Sequence, residues 1–122
     1  MSISIPEPDF RLATRLFDAL AEKTRDTAGF TRASYGEGEQ FAHDLMARTA
    51  RESGLPASSD VAGNMYITLK GRDPAKGTML VGSHLDTVPL CAGAKPKIQG
   101  RRIVNAAKTA LGGDNRTGCA VL

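Results

Sequence analysis

The chain contains no tryptophan, only two Tyr and four Phe, and two cysteines among 122 residues. Two cysteines do not build a disulfide framework, and neither Cys91 nor Cys119 lies in a Cys-x-x-Cys pair. Both read as small hydrophobes of the interior. The scarcity of aromatic side chains weighs against a nucleic-acid surface, which stacks bases on such rings beside clustered basic residues. The formal net charge is +3, but the basic residues are scattered, with Arg101-Arg102 the one adjacent pair. No nucleic-acid partner is expected. Long apolar runs are also missing. None approaches the ~20 residues of a membrane-spanning helix. The opening segment, with Pro6, Glu7, Pro8 and Asp9, has neither the basic start nor the apolar stretch of a secretory leader. A cytoplasmic location and no membrane partner are therefore expected.

What is present is an ordinary globular composition, 41% apolar and 24% charged, in a length that can bury one domain's core. Asp9 reads as the cap of a first helix, with Phe10, Ala13, Phe17 and Leu20 recurring at helical spacing along one stripe. Residues 27–32 read as a loop. Ser34-Tyr35-Gly36-Glu37 matches the capping box, in which a hydroxyl and a carboxylate three residues apart satisfy free helical N–H groups. The second helix then runs to about Ser53 on an inner face of Phe41, Leu45 and Ala50. Gly54 stops it and Pro56 forbids its continuation.

Beyond Pro56 the period becomes that of strands. Residues 64–69 alternate Met65, Ile67 and Leu69 against Tyr66 and Thr68. Gly71-Arg72-Asp73-Pro74 is a turn cluster. Met79-Leu80-Val81 reads as a strand covered on both faces. Residues 97–98 and 102–104, split by Gly100, form a small hairpin, and a last helix begins at Thr117. This order predicts an α/β fold. The helix started at Thr117 has about one turn before Leu122, which predicts an incomplete domain spanning residues 1–122.

The chemistry concentrates in two places. In Gly82-Ser83-His84-Leu85-Asp86-Thr87, His84 and Asp86 fall at the end of a predicted strand, where open α/β sheets hold their ligands. Residues two apart in an extended segment share a side. Asp86 can therefore accept from one imidazole nitrogen while the other faces a metal, which fixes the tautomer and raises ligand basicity. A hydrogen-bonded structural pair is the alternative reading of a lone His-x-Asp. In Gly112-Gly113-Asp114-Asn115-Arg116-Thr117-Gly118, Asp114 sits at the apex of a turn opening a helix. It is either that helix's cap or a carboxylate bridging two divalent cations. Ser83 and His84 cannot act as nucleophile and base, since adjacent strand residues point to opposite faces. His43 reads as a surface or boundary histidine of the second helix. Arg116 either neutralises a substrate carboxylate or caps a loop.

Taken together, the two segments resemble the dinuclear zinc hydrolases that include aminoacylase, carboxypeptidase G, peptidase T and the N-carbamoyl-amino-acid and allantoate amidohydrolases. Gly29-Phe30-Thr31-Arg32, Ser34-Tyr35, Gly63-Asn64 and Gly71-Arg72-Asp73-Pro74 resemble the carbamoylase branch. Between Asp86 and Asp114 stand 27 residues, and within them Lys95 to Val104 resemble instead the hairpin insert of the peptidase T-like branch. The resemblance implies a zinc-aminopeptidase-like catalytic domain with a mixed central sheet flanked by helices. It also implies that His84 binds one zinc, Asp114 bridges two, and Asp86 orients His84 as a catalytic-site acid. Two Zn²⁺, or other divalent ions, would serve a complete enzyme that hydrolyses peptide, N-acyl or N-carbamoyl amide bonds. The family's general-base Glu and remaining ligands have no counterpart up to Leu122, and Glu37, Glu39 and Glu52 on the early helices do not replace them. Partial or no metal occupancy and no activity are expected of this chain alone, with homo-oligomers a further option. The rival reading is a non-catalytic α/β segment that at most binds metal weakly.

Overall fold

The computed structural model describes residues 6–26, 29–87, 93–115 and 118–119. Cys91, Arg116 and Thr117 therefore lie outside the described residues, as do 27–28 of the predicted loop. Helix α1 spans Glu7–Lys23 and helix α2 spans Glu37–Glu52. Two hairpins follow, β1 (Ala57–Ser59) with β2 (Met65–Ile67), and β3 (Pro96–Gln99) with β4 (Arg102–Asn105). Both pairs are antiparallel and each is a separate two-stranded sheet. Among the described residues no central sheet joins them.

The start of α1 differs from the expected cap at Asp9. The helix begins three residues earlier, with Pro6 as N-cap and no side-chain cap bond. Pro8 is tolerated there because a first-turn N–H has no helical acceptor to lose. The buried face is also rotated. Leu20 is buried with Leu16 and Ala19 packed beside it, while Phe10 is exposed. Helix α2 ends as anticipated. Gly54, at φ 78°, places its N–H on Arg51 O at 2.9 Å and that of Leu55 on Ala50 O at 2.8 Å. These are the two bonds of a Schellman close, which a left-handed residue makes possible.

The strand Met65–Ile67 lies inside the predicted segment, but its partner Ala57–Ser59 went unread because a serine-rich stretch carries little strand signal. The hairpin at 96–105 turns through Gly100 at φ 60°, where only glycine is free of Cβ strain. Met79-Leu80-Val81 forms no strand. Leu80 is 83% exposed and its neighbours are exposed too. A doubly covered strand needs partners at both edges and faces, and the described residues supply none. No described helix is long and apolar enough to cross a membrane.

Among the described residues, one small core joins the two helices to Leu85. Leu20 of α1 and Ala42 and Leu45 of α2 enclose Leu85, with Phe41, Met46, Met65 and Cys119 packed around them. Leu85 is thus the apolar anchor by which the distant His-x-Asp segment reaches the helical half.

Candidate functional site

Burial of Leu85 decides the geometry on either side of it. Along an extended chain, side chains alternate, so fixing Leu85 inward turns His84 and Asp86 to the opposite side. There His84 Nδ1 lies 2.8 Å from Asp86 Oδ1, and His84 Nε2 lies 3.0 Å from Asp114 Oδ1. One imidazole is thus held between two carboxylates approached from distant parts of the sequence. The hydrogen bond with Asp114, then that with Asp86, raises the His84 pKa above its ordinary value, against a smaller opposing effect of desolvation. The Asp86 carboxyl is held below its ordinary value, first by the Ser34 hydroxyl and then by His84. A raised histidine favours the protonated ring. Its contribution to folding is present below the unfolded pKa and fades as pH rises through the folded one.

One of the two roles left open for Asp114, that of helix cap, falls to another residue. The helical turn at 118–119 is capped by its neighbour. Asn115 Oδ1 accepts from Gly118 N at 3.1 Å, and Cys119 N donates to Asn115 O at 3.1 Å. A Cβ at Gly118 would collide with Asn115 Oδ1, so glycine is needed for this cap. With capping done by Asn115, the Asp114 carboxylate is 77% exposed and turned to His84. The loop that delivers it is tied back by Asn105. Its Oδ1 accepts from Lys95 N and Ala107 N, and its Nδ2 donates to Thr109 O at 2.6 Å.

Three further residues position the segment, and sequence reasoning missed their part. Arg32, 1% exposed, donates from Nε to Leu85 O at 2.6 Å. Its backbone N donates to Thr87 Oγ1 at 2.8 Å, and Thr87 N returns a bond to Arg32 O at 2.8 Å. Ser34 Oγ donates to Asp86 Oδ2 at 2.6 Å. The capping box expected at Ser34 and Glu37 is therefore absent. Gly36 is the N-cap of α2 and no side chain caps it, while Glu39, not Glu37, reaches back to Tyr35 N at 2.5 Å. The Thr-Arg-x-Ser string carried no signal for this, since such polar residues are ordinary in loops.

Other candidates stay outside the pair. His43 is half-buried on α2. Ser83 faces Cys119, with Oγ 3.2 Å from Sγ, on the side away from the imidazole. Cys119 is partly buried and donates to His84 O at 3.3 Å. Its packing fits a small hydrophobe.

A metal would have His84 Nε2 and Asp114 to bind. Two ligands on one tetrahedral zinc at 2.0–2.2 Å stand roughly 3.3 Å apart, so the 3.0 Å pair fits after a small adjustment. Asp86 lies on the other nitrogen and cannot join them. Among the described residues no group of three or more His, Cys, Asp or Glu side chains converges as a ligand set.

No known protein-family profile matches the chain, and no solved structure matches it significantly. Two curated relatives do. The chain is 40% identical over 78 residues to an N-carbamoyl-L-amino acid amidohydrolase of Geobacillus stearothermophilus, covering 64% of this chain and 19% of that protein. It is 32% identical over 81 residues to an N-carbamoyl-L-amino-acid amidohydrolase of Rhizobium meliloti, covering 63% and 20%. The chain spans about a fifth of the length of the curated relatives it matches. At family level, these relatives support a likeness to amide-bond hydrolases of the amidohydrolase kind.

Proposed function

We propose that this chain carries the first metal-binding elements of an N-carbamoyl-amino-acid hydrolase. His84 is a zinc ligand, Asp114 a carboxylate able to bridge two ions, and Asp86 the acid that orients His84. The observation that carries the reading is the double engagement of one imidazole, 2.8 Å from Asp86 and 3.0 Å from Asp114. Two relatives named for N-carbamoyl amino acids favour that substrate over a peptide. The helices and hairpins would then form the opening part of an α/β catalytic domain.

A bound divalent ion supplies charge that polarises a carbonyl and lowers the pKa of water towards ~7. The residues of this chain do the positioning. Asp86 holds the Nδ1 proton, which leaves Nε2 on the side of Asp114 as the nitrogen that would meet an ion, and Leu85 keeps both side chains on one side of the backbone. Exposure of Asp114 leaves its second oxygen open to another partner.

The non-catalytic reading has its own support, since among the described residues two donors face a common point, whereas a catalytic zinc generally takes three plus water. The two readings divide on metal affinity. Titration of the metal-free chain with Zn²⁺ or Co²⁺ is expected to show weak, chelator-reversible binding that His84→Ala and Asp114→Ala each abolish. Affinity unchanged in both variants would defeat the metal assignment. The chain alone is expected to hydrolyse neither N-carbamoyl amino acids nor dipeptides. Turnover abolished by His84→Ala would defeat that expectation.

A further inference from the structure

The Asp86 carboxylate has two oxygens with different partners. Oδ1 meets the His84 ring at 2.8 Å, and Oδ2 accepts the Ser34 hydroxyl at 2.6 Å. A carboxylate held by one oxygen swings about its terminal torsion, which is broad and roughly two-fold. Held by both, it presents a fixed acceptor to Nδ1. We propose that Ser34 is a positioning residue for His84, acting through Asp86. The Ser34–Asp86–His84 chain of hydrogen bonds sets the ring so that Nε2 faces Asp114. The importance of that orientation for metal rests on the function proposed above, while the relay itself does not.

The turn that carries Ser34 does not depend on its hydroxyl. Gly36 N donates to Ala33 O at 2.9 Å, and Tyr35 N donates to Glu39 Oε2. The neighbouring Arg32 is tied to Leu85 and Thr87 through its own groups. Ser34 itself is exposed, so removing its Oγ opens no cavity. The hydroxyl is thus dispensable for its own turn and directed at the carboxylate that meets Nδ1 of the imidazole. A serine serving only the turn would be expected to bond a local backbone group.

The test uses the metal-free 122-residue chain labelled uniformly with ¹⁵N, at one fixed pH. The His84 Nδ1–H resonance and its exchange with water are followed, with His43 as an internal control. Ser34→Ala is expected to speed that exchange about tenfold, the loss of roughly one charge-assisted hydrogen bond. Ser34→Thr, which keeps a hydroxyl, restores it. In an Asp86→Ala background, Ser34→Ala changes nothing further, because the link it acts through is gone. Unchanged amide shifts at 35–52 confirm that α2 is intact. A Zn²⁺ titration of the same variants is expected to lose about three- to tenfold in affinity with Ser34→Ala, less than the ~10–100-fold of a direct partner. Normal Nδ1–H exchange in Ser34→Ala, or an equal effect of Ser34→Ala with Asp86 absent, overturns the relay. Zinc affinity indifferent to His84→Ala, with the exchange effect intact, instead overturns the metal reading and leaves the relay standing.

Discussion

Residues 7–67 and residues 68–119 are built on different terms. The first stretch packs α1 on α2 and lays the β1–β2 hairpin against α2, so Leu16, Leu20, Phe41, Leu45 and Met65 find apolar partners within it, although Phe10 and Val61 stay exposed. Residues 68–82 are exposed throughout, Leu69, Met79 and Leu80 included. The β3–β4 hairpin packs on none of the other named elements among the described residues. Yet the chemistry lies in this second stretch. Among the described residues, the contacts that hold it to the first include Leu85 and Cys119 in the core, the hydrogen bonds of Arg32, Ser34 and Thr87, and the bond from Thr68 N to Pro56 O. The contrast teaches that apolar burial stabilises the helical half, while the site half is placed by polar tethers hung on one leucine.

The largest effect that would sharpen this contrast is a pair of truncations. Leu45→Ala, at a position 7% exposed, should cost about 2–4 kcal/mol of unfolding free energy. Leu80→Ser, of similar loss in size, should lie within about 0.5 kcal/mol of wild type. Urea melts monitored at 222 nm measure both. Equal costs would mean that residues 79–81 are packed after all. The tethers come next. Arg32→Met removes the buried donor to Leu85 O, at an expected cost of roughly 1–3 kcal/mol. Hydrogen exchange should show its loss concentrated at residues 84–87, and a uniform loss over α1 and α2 would break the division into halves.

The smallest effect is confined to the β1–β2 turn. Asp60 accepts from Ala62 N, Asn64 N, Asn64 Nδ2 and the Tyr66 hydroxyl, with Asn64 the main cause that its carboxyl lies below the ordinary value. A depressed carboxyl contributes stability that is present above its unfolded pKa and lost as pH falls through the folded one. Tyr66, raised chiefly by its bond to Asp60, contributes below its ordinary value of 10.0 and loses this as pH rises through the folded pKa. Chemical shifts of Asn64 and Tyr66 should therefore move in acid at a pH below the ordinary aspartate range. In Asp60→Asn that acid transition should vanish while the core melts unchanged.

By itself the sequence determined whatever short-range physics controls. Helical periodicity and Gly54 set α2 and its close, and Gly100 set the second hairpin. The two-residue period made His84 and Asp86 share a side before any partner was known. The tertiary structure decided where local and distant partners compete for one polar group. A serine before a helix can cap it or bond a carboxylate brought from afar, and Ser34 does the second because Leu85, buried between α1 and α2, carries Asp86 within reach. Adjacent Asp114 and Asn115 could each cap the following turn, and the choice of Asn115 leaves Asp114 for His84. Such competitions are settled by energies of about 1 kcal/mol between alternatives of like chemistry. Only the position of the distant group, set by core packing, separates them.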